Sequence, residues 1–469
     1  MAKSMKYRNE KKSAVNVIVE AMIHSSCPID FNRMREELRT YLEKYASQMG
    51  SIYTEGPIDL SSAPTVLQQG ILQCDLTLDG FMASSETSDE SDARNTSNTN
   101  TTRSIATYDV SHVMIHLYIL NEEPPEPEEI EEPGNQDSDP ITVCETTVLP
   151  HISLHTSWEH LIFPKTLKRN LLSYANTALL FSNKQVSSHI INWNRVLMLY
   201  GLPGTGKTTL CRALAHKLSI RTQHIFPSGG YLLEIKSHSL FSKWFSESGK
   251  LIARLFDRIR ELVEDEPNAL FCVLIDEVES LAGSRTASTK SGSEPSDAIR
   301  AVNSLLTSLD SIRQYRNVLI LTTTNLTDCV DSAFVDRVDW MVKIDLPNEH
   351  ARYEILRGCI MELKQKGILI MDHEEQHGDS SKKEWSICDY NTALEQDKAQ
   401  NMEHENEDWT PAMLLLKCAQ LAEGLSGRSL RKLPFQSYAF HIGTMQNPSI
   451  LDFLEALRSS IAMKVSGDI

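Results

Sequence analysis

Five short apolar runs, at 196–200, 231–235, 270–275, 318–323 and 341–344, punctuate the middle of the chain. Stretches with helical periodicity separate them. Runs this short and almost wholly apolar suit strands covered on both faces. One separating stretch, 248–264, sets Leu251, Leu255, Ile259 and Leu262 on one side, with Ile252, Phe256 and Val263 beside them, as a core-facing stripe requires. The pattern from 150 to 345 therefore predicts an α/β fold, a parallel sheet flanked by helices on both faces. After 346 it turns helical, at 350–365, 411–423, 427–440 and 448–463. The first 145 residues read as a small α/β domain. Val15, Val17 and Val19 alternate with Asn16, Ile18 and Glu20, as in a strand with one buried face. Asp30 caps a predicted helix to about 48 that carries Phe31, Met34, Leu38, Leu42 and Tyr45, and 112–120 is again strand-like.

The length of 469 residues calls for two or three cores. The pattern divides them into 1–145, an N-terminal α/β domain; 146–346, the large sheet-bearing unit; and 347–469, a small helical unit. The formal charge of −17 is concentrated. Residues 121–140 hold nine acidic side chains and no basic one, and 371–410 hold twelve acidic against three basic, so the remainder is close to neutral. These segments read as a flexible acidic linker and a solvated insertion, and the Ser/Thr/Asn-rich stretch 84–106 as disordered. A near-neutral remainder speaks against a broad nucleic-acid footprint, and direct nucleic-acid binding is not expected. Nine scattered cysteines without a Cys-x-x-Cys pair fit a reducing compartment, and no run of 18 apolar residues predicts a membrane span. Lysines before residue 13 read as a solvated arm or a weak nuclear-import signal.

The chemistry enters directly after the first of the five runs. Gly201, Leu202, Pro203, Gly204, Thr205, Gly206, Lys207 and Thr208 form a phosphate-binding loop between a strand and a helix that starts at Thr209. Glycines let backbone amides close around phosphate oxygens, and the helix N-terminus adds partial positive charge. Lys207 would reach the β- and γ-phosphates of ATP, and the Thr208 hydroxyl would take one site on Mg²⁺. The run 270–275 ends in Asp276 and Glu277. Asp276 suits Mg²⁺, which demands hard oxygen ligands; Glu277 suits activation of the attacking water. Asn325, past the run 318–323, is a polar side chain for the γ-phosphate side, or a turn residue. Arg337 is placed to serve a neighbouring subunit's nucleotide, or to make a surface salt bridge. Arg428, opening a helix after Gly424-Leu425-Ser426-Gly427, is a candidate lid contact to the γ-phosphate, or one half of a surface pair. Trp244 and Phe245, with Lys243 before them, lie between the second strand and the next helix among polar residues. They suit either a peptide-gripping loop or the core.

Together these pieces resemble an AAA+ ATPase. The stretches Glu234–Lys250, Ile275–Leu281, Ser293–Arg300 and Leu425–Phe435 are similar to those of the pachytene-checkpoint AAA+ ATPases, closely from 150 to 345 and at 424–440. Leu202 stands where that family usually has proline. The resemblance implies an AAA+ P-loop domain with a C-terminal helical lid and an N-terminal domain that receives clients. It implies an ATP hydrolase with Mg²⁺, working as a homohexamer whose pore is lined by Lys243, Trp244 and Phe245. The implied clients are HORMA-domain proteins of the meiotic chromosome axis or the spindle checkpoint, met directly or through a HORMA-type adaptor, in the nucleus and also the cytoplasm. Two other classes stay open from the residues alone. A nucleic-acid AAA+ machine would need a basic pore, and a scaffold that binds ATP without hydrolysis would not need Glu277, Asn325 and Arg337.

Overall fold

The computed structural model describes residues 16–48, 56–79, 113–130, 141–187, 190–237, 248–280, 295–326, 330–370, 387–400, 410–443 and 448–466. The predicted pore residues Lys243, Trp244 and Phe245, and the stretch 84–106, lie outside them.

The N-terminal unit runs β1 (Asn16–Ile23), α1 (Phe31–Gln48), β2 (Gly56–Pro57), α2 (Thr65–Gly70), β3 (Ile71–Asp79) and β4 (Val113–Tyr118). Its sheet has the order β2-β3-β1-β4, with β1 antiparallel to β3 and parallel to β4. Met34, Leu38 and Leu42 of α1 pack with Val17, Val19 and Ala21 of β1, as the helical spacing predicts.

The large unit begins earlier than its sequence pattern suggests. β5 (Glu126–Ile130) and β6 (Ile141–Leu149) precede α3 (Ser157–His160), α4 (Lys165–Asn183), β7 (Val196–Tyr200), α5 (Lys207–Arg221), β8 (Gly230–Lys236), α6 (Ser248–Asp265), β9 (Leu270–Asp276), α7 (Pro295–Ile312), β10 (Val318–Thr324), α8 (Ser332–Val335) and β11 (Trp340–Lys343). The sheet order is β11-β7-β10-β9-β8-β6-β5. The first five strands of that order are parallel, and β6 and β5 extend it antiparallel. Successive residues of a buried strand serve opposite faces. Leu270, Cys272 and Leu274 of β9 pack toward α4 and α5; Phe271, Val273 and Ile275 pack toward α6 and α7. That two-sided burial is why the runs of β7, β9 and β10 are apolar at nearly every position, whereas β11, at the edge of the sheet, exposes Lys343.

Two expectations are corrected. The stretch 121–140 is not wholly a flexible linker, because β5 pairs with β6 from Glu126↔Thr146 to Ile130↔Ile141, with a register shift at Glu128/Glu129. Its glutamates and Pro127 are what an outermost strand tolerates, since one side makes no ladder. Arg258 of α6 anchors it to Glu128 at 3.1 Å. The acidic insertion 371–410 is likewise partly packed: Ile387 and Ala393 are buried in the lid core, and Tyr353 donates a hydrogen bond to the Cys388 carbonyl at 2.8 Å. The lid comprises α9 (Glu349–Gln365), α10 (Tyr390–Gln400), α11 (Pro411–Leu421), α12 (Gly427–Ser437) and α13 (Ile450–Ser466) around that core. Asn348 and Thr410 cap α9 and α11 by accepting the N–H of Ala351 and Met413.

Glu20 also departs from expectation. Both faces of β1 are buried, and the face that bears Glu20 lies against α5. Glu20 pairs with Lys217 at 2.5 Å and Arg221 at 2.7 Å, and Arg221 also donates to the Thr77 hydroxyl. The phosphate-loop helix is thus enclosed between the sheet and the N-terminal unit, which explains why nearly all of it is buried.

Candidate active site

β7, β10 and β9 are adjacent and parallel, so their carboxyl ends open on one edge of the sheet. Ligands of open α/β sheets bind at that edge. The loop after β7 is built by positive φ at Gly201 (148°), Gly204 (79°) and Gly206 (97°). At Gly201 the need for glycine is also steric: a Cβ would lie 2.2 Å from the Ile344 carbonyl oxygen after β11. Lys207 opens α5 and is buried. Its Nζ donates to the carbonyls of Gly201 and Leu202, each at 2.9 Å, and to Asn325 Oδ1 at 2.7 Å. Burial holds the ammonium below the ordinary lysine range, with Glu279, Asp276 and Glu277 opposing that shift and Arg428 reinforcing it.

Asp276 ends β9. Its Oδ1 accepts the Thr208 hydroxyl at 2.7 Å and the Thr323 hydroxyl of β10. Glu277 follows with φ +53°, a left-handed conformation uncommon outside glycine, and its N–H donates to Thr323 Oγ1 at 3.1 Å. The chain then makes a 3₁₀ turn, Val278–Ser280, in which Val278 is buried and Glu279 Oε1 accepts the N–H of Asn325 at 3.0 Å.

From the other side comes the lid. Ser426 caps α12, and the Arg428 N–H donates to the Gly204 carbonyl at 3.1 Å. A Cβ on Gly204 would lie 2.8 Å from Ser426 Oγ, so loop and lid are in close contact. Arg431 adds a hydrogen bond to the His160 carbonyl at 3.0 Å. Between them is a cavity of about 780 Å³, in which Leu161, Phe163 and Ile355 meet Gly206, Thr209 and Arg428. Its apolar end suits the base of a nucleotide and its polar end the phosphates. A groove of about 910 Å³ at the opposite ends of these strands, beside Trp193 and Arg195, contains none of the phosphate-loop residues.

The structure thus gathers Gly201 to Thr209, Asp276, Glu277 and Asn325 at the carboxyl ends of β7, β9 and β10, with Arg428 against Gly204; of these, Gly204, Thr205, Gly206, Thr209 and Arg428 line the cavity. Arg337 is elsewhere: its guanidinium holds Asp310 of α7 with contacts of 2.7 and 3.0 Å and donates to the Ala333 carbonyl. Sequence reasoning missed Glu279, Thr323 and the apolar wall at 161–163. Glu279 stands two residues past Glu277, but its partner Asn325 lies 46 positions away at the end of another strand; nothing in the order of residues ties 161–163 to the loop.

A family model for the ATPase family associated with various cellular activities (AAA) matches residues 197–346, and one for the TRIP13-like AAA+ ATPase lid C-terminal domain matches 348–465. A pachytene checkpoint protein 2 homolog of Oryza sativa subsp. indica is 45% identical over 356 residues, 75% of this chain and 71% of that protein. The Homo sapiens homolog is 42% identical over 351 residues, 74% of this chain and 75% of that one. The chain belongs to the pachytene checkpoint protein 2 family. The solved C. elegans PCH-2 matches it with a TM-score of 0.69 at 32% identity, covering 96% of this chain and 99% of that one. This chain is therefore an ATP-hydrolysing enzyme of the AAA ATPase family. Among its described residues no helix is long and apolar enough to cross a membrane.

Proposed function

We propose that six copies of the chain form a ring that couples ATP hydrolysis to remodelling of HORMA-domain proteins, directly or through a HORMA-type adaptor. Its sites of action are meiotic chromosomes in the nucleus, and the cytoplasm. The observation that carries the mechanical half is the hydrogen bond between Gly204 of the phosphate loop and Arg428 of the lid. A nucleotide in that cleft touches both units, so loss of its γ-phosphate alters the angle between them. The client class rests on family membership.

In this reading Lys207 exchanges the Gly201 and Leu202 carbonyls for phosphate oxygens. Glu277 accepts a proton from the attacking water while Asn325 holds that water's far side. Arg337 of one subunit serves the nucleotide of the next, and Arg428 senses the γ-phosphate from the lid. The Thr208 hydroxyl and Asp276 carboxylate, hard oxygens 2.7 Å apart, fit Mg²⁺, which takes few protein ligands. When bound, that ion neutralises charge on the phosphates. Lys243, Trp244 and Phe245 grip the client in the pore.

The test is ATP turnover of the purified chain with and without a HORMA-domain protein from the same source, using Glu277→Gln as the blank. Stimulation that vanishes in the blank supports the reading. Turnover indifferent to such proteins, alone or with an adaptor, removes the client assignment while leaving the ATPase in place.

A further inference from the structure

The ladder between β9 and β10 ends at Ile275↔Thr322, short of the reacting groups. Beyond it the two strand ends are joined by side chains. Thr323 Oγ1 accepts the Glu277 N–H, and Glu279 Oε1 accepts the Asn325 N–H at 3.0 Å. Asn325 in turn presents Oδ1 to Lys207 at 2.7 Å. Glu279 is therefore the far end of a three-member chain, Glu279–Asn325–Lys207, that reaches the phosphate loop. Its second oxygen, Oε2, is buried and has no hydrogen-bond partner among the described residues. A carboxylate kept there at that desolvation cost is not a surface ornament of the turn.

We propose that Glu279 is a positioning residue for ATP hydrolysis: by holding the backbone of Asn325, it sets the carboxamide that faces Lys207 and the γ-phosphate side of the cleft. The inference rests on the role given above to Asn325. Glu279 reaches Asn325 with its terminal carboxylate oxygen. Removing one methylene withdraws the acceptor by about 1.5 Å and takes a 3.0 Å contact out of hydrogen-bond range. Removing the charge while keeping the length leaves a carbonyl acceptor in place. Reach and charge are thereby separable with two conservative variants, neither of which cuts a hole in the fold.

The experiment is steady-state ATP turnover of the full chain with Glu279→Asp and Glu279→Gln beside the native protein, and Asn325→Ala as reference. Positioning predicts that Glu279→Asp lowers kcat about tenfold to a hundredfold, the scale of a misplacement near 1 Å. The KM for ATP should stay within about threefold, because the phosphate loop itself is untouched. Glu279→Gln should keep kcat within about threefold. Loss of turnover in Glu279→Gln overturns the proposal, since charge and not reach would then be at work. Native turnover in Glu279→Asp overturns it as well. A silent Asn325→Ala would remove the role of Asn325 and the inference with it, whereas a slow Asn325→Ala beside a silent Glu279→Asp would leave the site reading standing and reject Glu279 alone.

Discussion

Lys207 meets three acceptors of its own chain, two loop carbonyls and Asn325, and in the proposed reading phosphate oxygens replace the two carbonyls. The loop accommodates this only because Gly201 sits at φ +148° against the Ile344 carbonyl. Gly201→Ala should therefore cost about 2–3 kcal/mol of stability and weaken ATP binding, read by thermal melting with and without nucleotide. An unchanged melting curve would contradict the close approach. Glu277 belongs to a different class of prediction. Glu277→Gln keeps the shape of the side chain and loses the base, so turnover should fall about 10²- to 10⁴-fold with ATP affinity retained. Equal loss of affinity in a nucleotide-binding assay would assign Glu277 to binding instead. These residues were legible because their spacing is fixed by local geometry: a loop that wraps phosphate, and acids at a strand end. Glu279 was not, because its partner is 46 positions away on another strand, and only the early end of the β9–β10 ladder creates the need for it.

At the scale of elements, the inner strands β7, β8, β9 and β10 could be read directly because burial on both faces leaves a run with few polar interruptions. β5 could not, since an outermost strand is under the opposite demand and takes the same glutamates and prolines as a linker. β1 misleads for a related reason: Glu20 looks like a solvent-facing position, yet its partners Lys217 and Arg221 lie about 200 residues further on in α5. Burial pushes the Glu20 carboxyl up, but the charges of Arg221 and Lys217 outweigh it and hold it at about 2. Burial lowers His116 of β4 to about 4, with Arg221, His224 and Arg35 in the same sense and Glu20 opposing. Both groups titrate lower in the folded chain than outside it. Their contributions are therefore present at neutral pH and are lost on acidification: that of His116 as pH falls from 6.5 to about 4, that of Glu20 as it falls from 4.5 to about 2. Limited proteolysis of the 119–125 connection across that range should show the N-terminal unit loosening from α5 as acid is added. Glu20→Ala should do the same at neutral pH, at about 3–5 kcal/mol, because it leaves Arg221 buried without its carboxylate. Resistance to cleavage equal to the native chain would mean that the apolar contacts alone dock the unit.

For the whole molecule, the telling arrangement is what the single chain does with Arg337. The other polar groups assigned to the nucleotide gather at the carboxyl ends of β7, β9 and β10 and at the facing lid, while Arg337 is held by Asp310 and the Ala333 carbonyl. Those contacts hold the Asp310 carboxyl below its usual range, with the Arg337 hydrogen bond as the first cause. Such a pair, partly exposed, is weak enough to be exchanged for a phosphate when a neighbouring subunit arrives. If the exchange takes place, Arg337→Ala subunits should bind ATP normally yet turn it over about 10³-fold more slowly. Lys207→Ala subunits should fail for a separate reason, since they hold no phosphate. Mixing the two variants distinguishes an arginine that acts across an interface from one that acts within its own chain. In a mixed ring, an intact Arg337 on a Lys207→Ala subunit faces the intact phosphate loop of an Arg337→Ala subunit, and turnover should rise well above that of either variant alone. If the mixture stays as inactive as its parts while mass measurement shows that mixed rings form, Arg337 serves no neighbour, and its ion pair with Asp310 is a structural bond of the large unit.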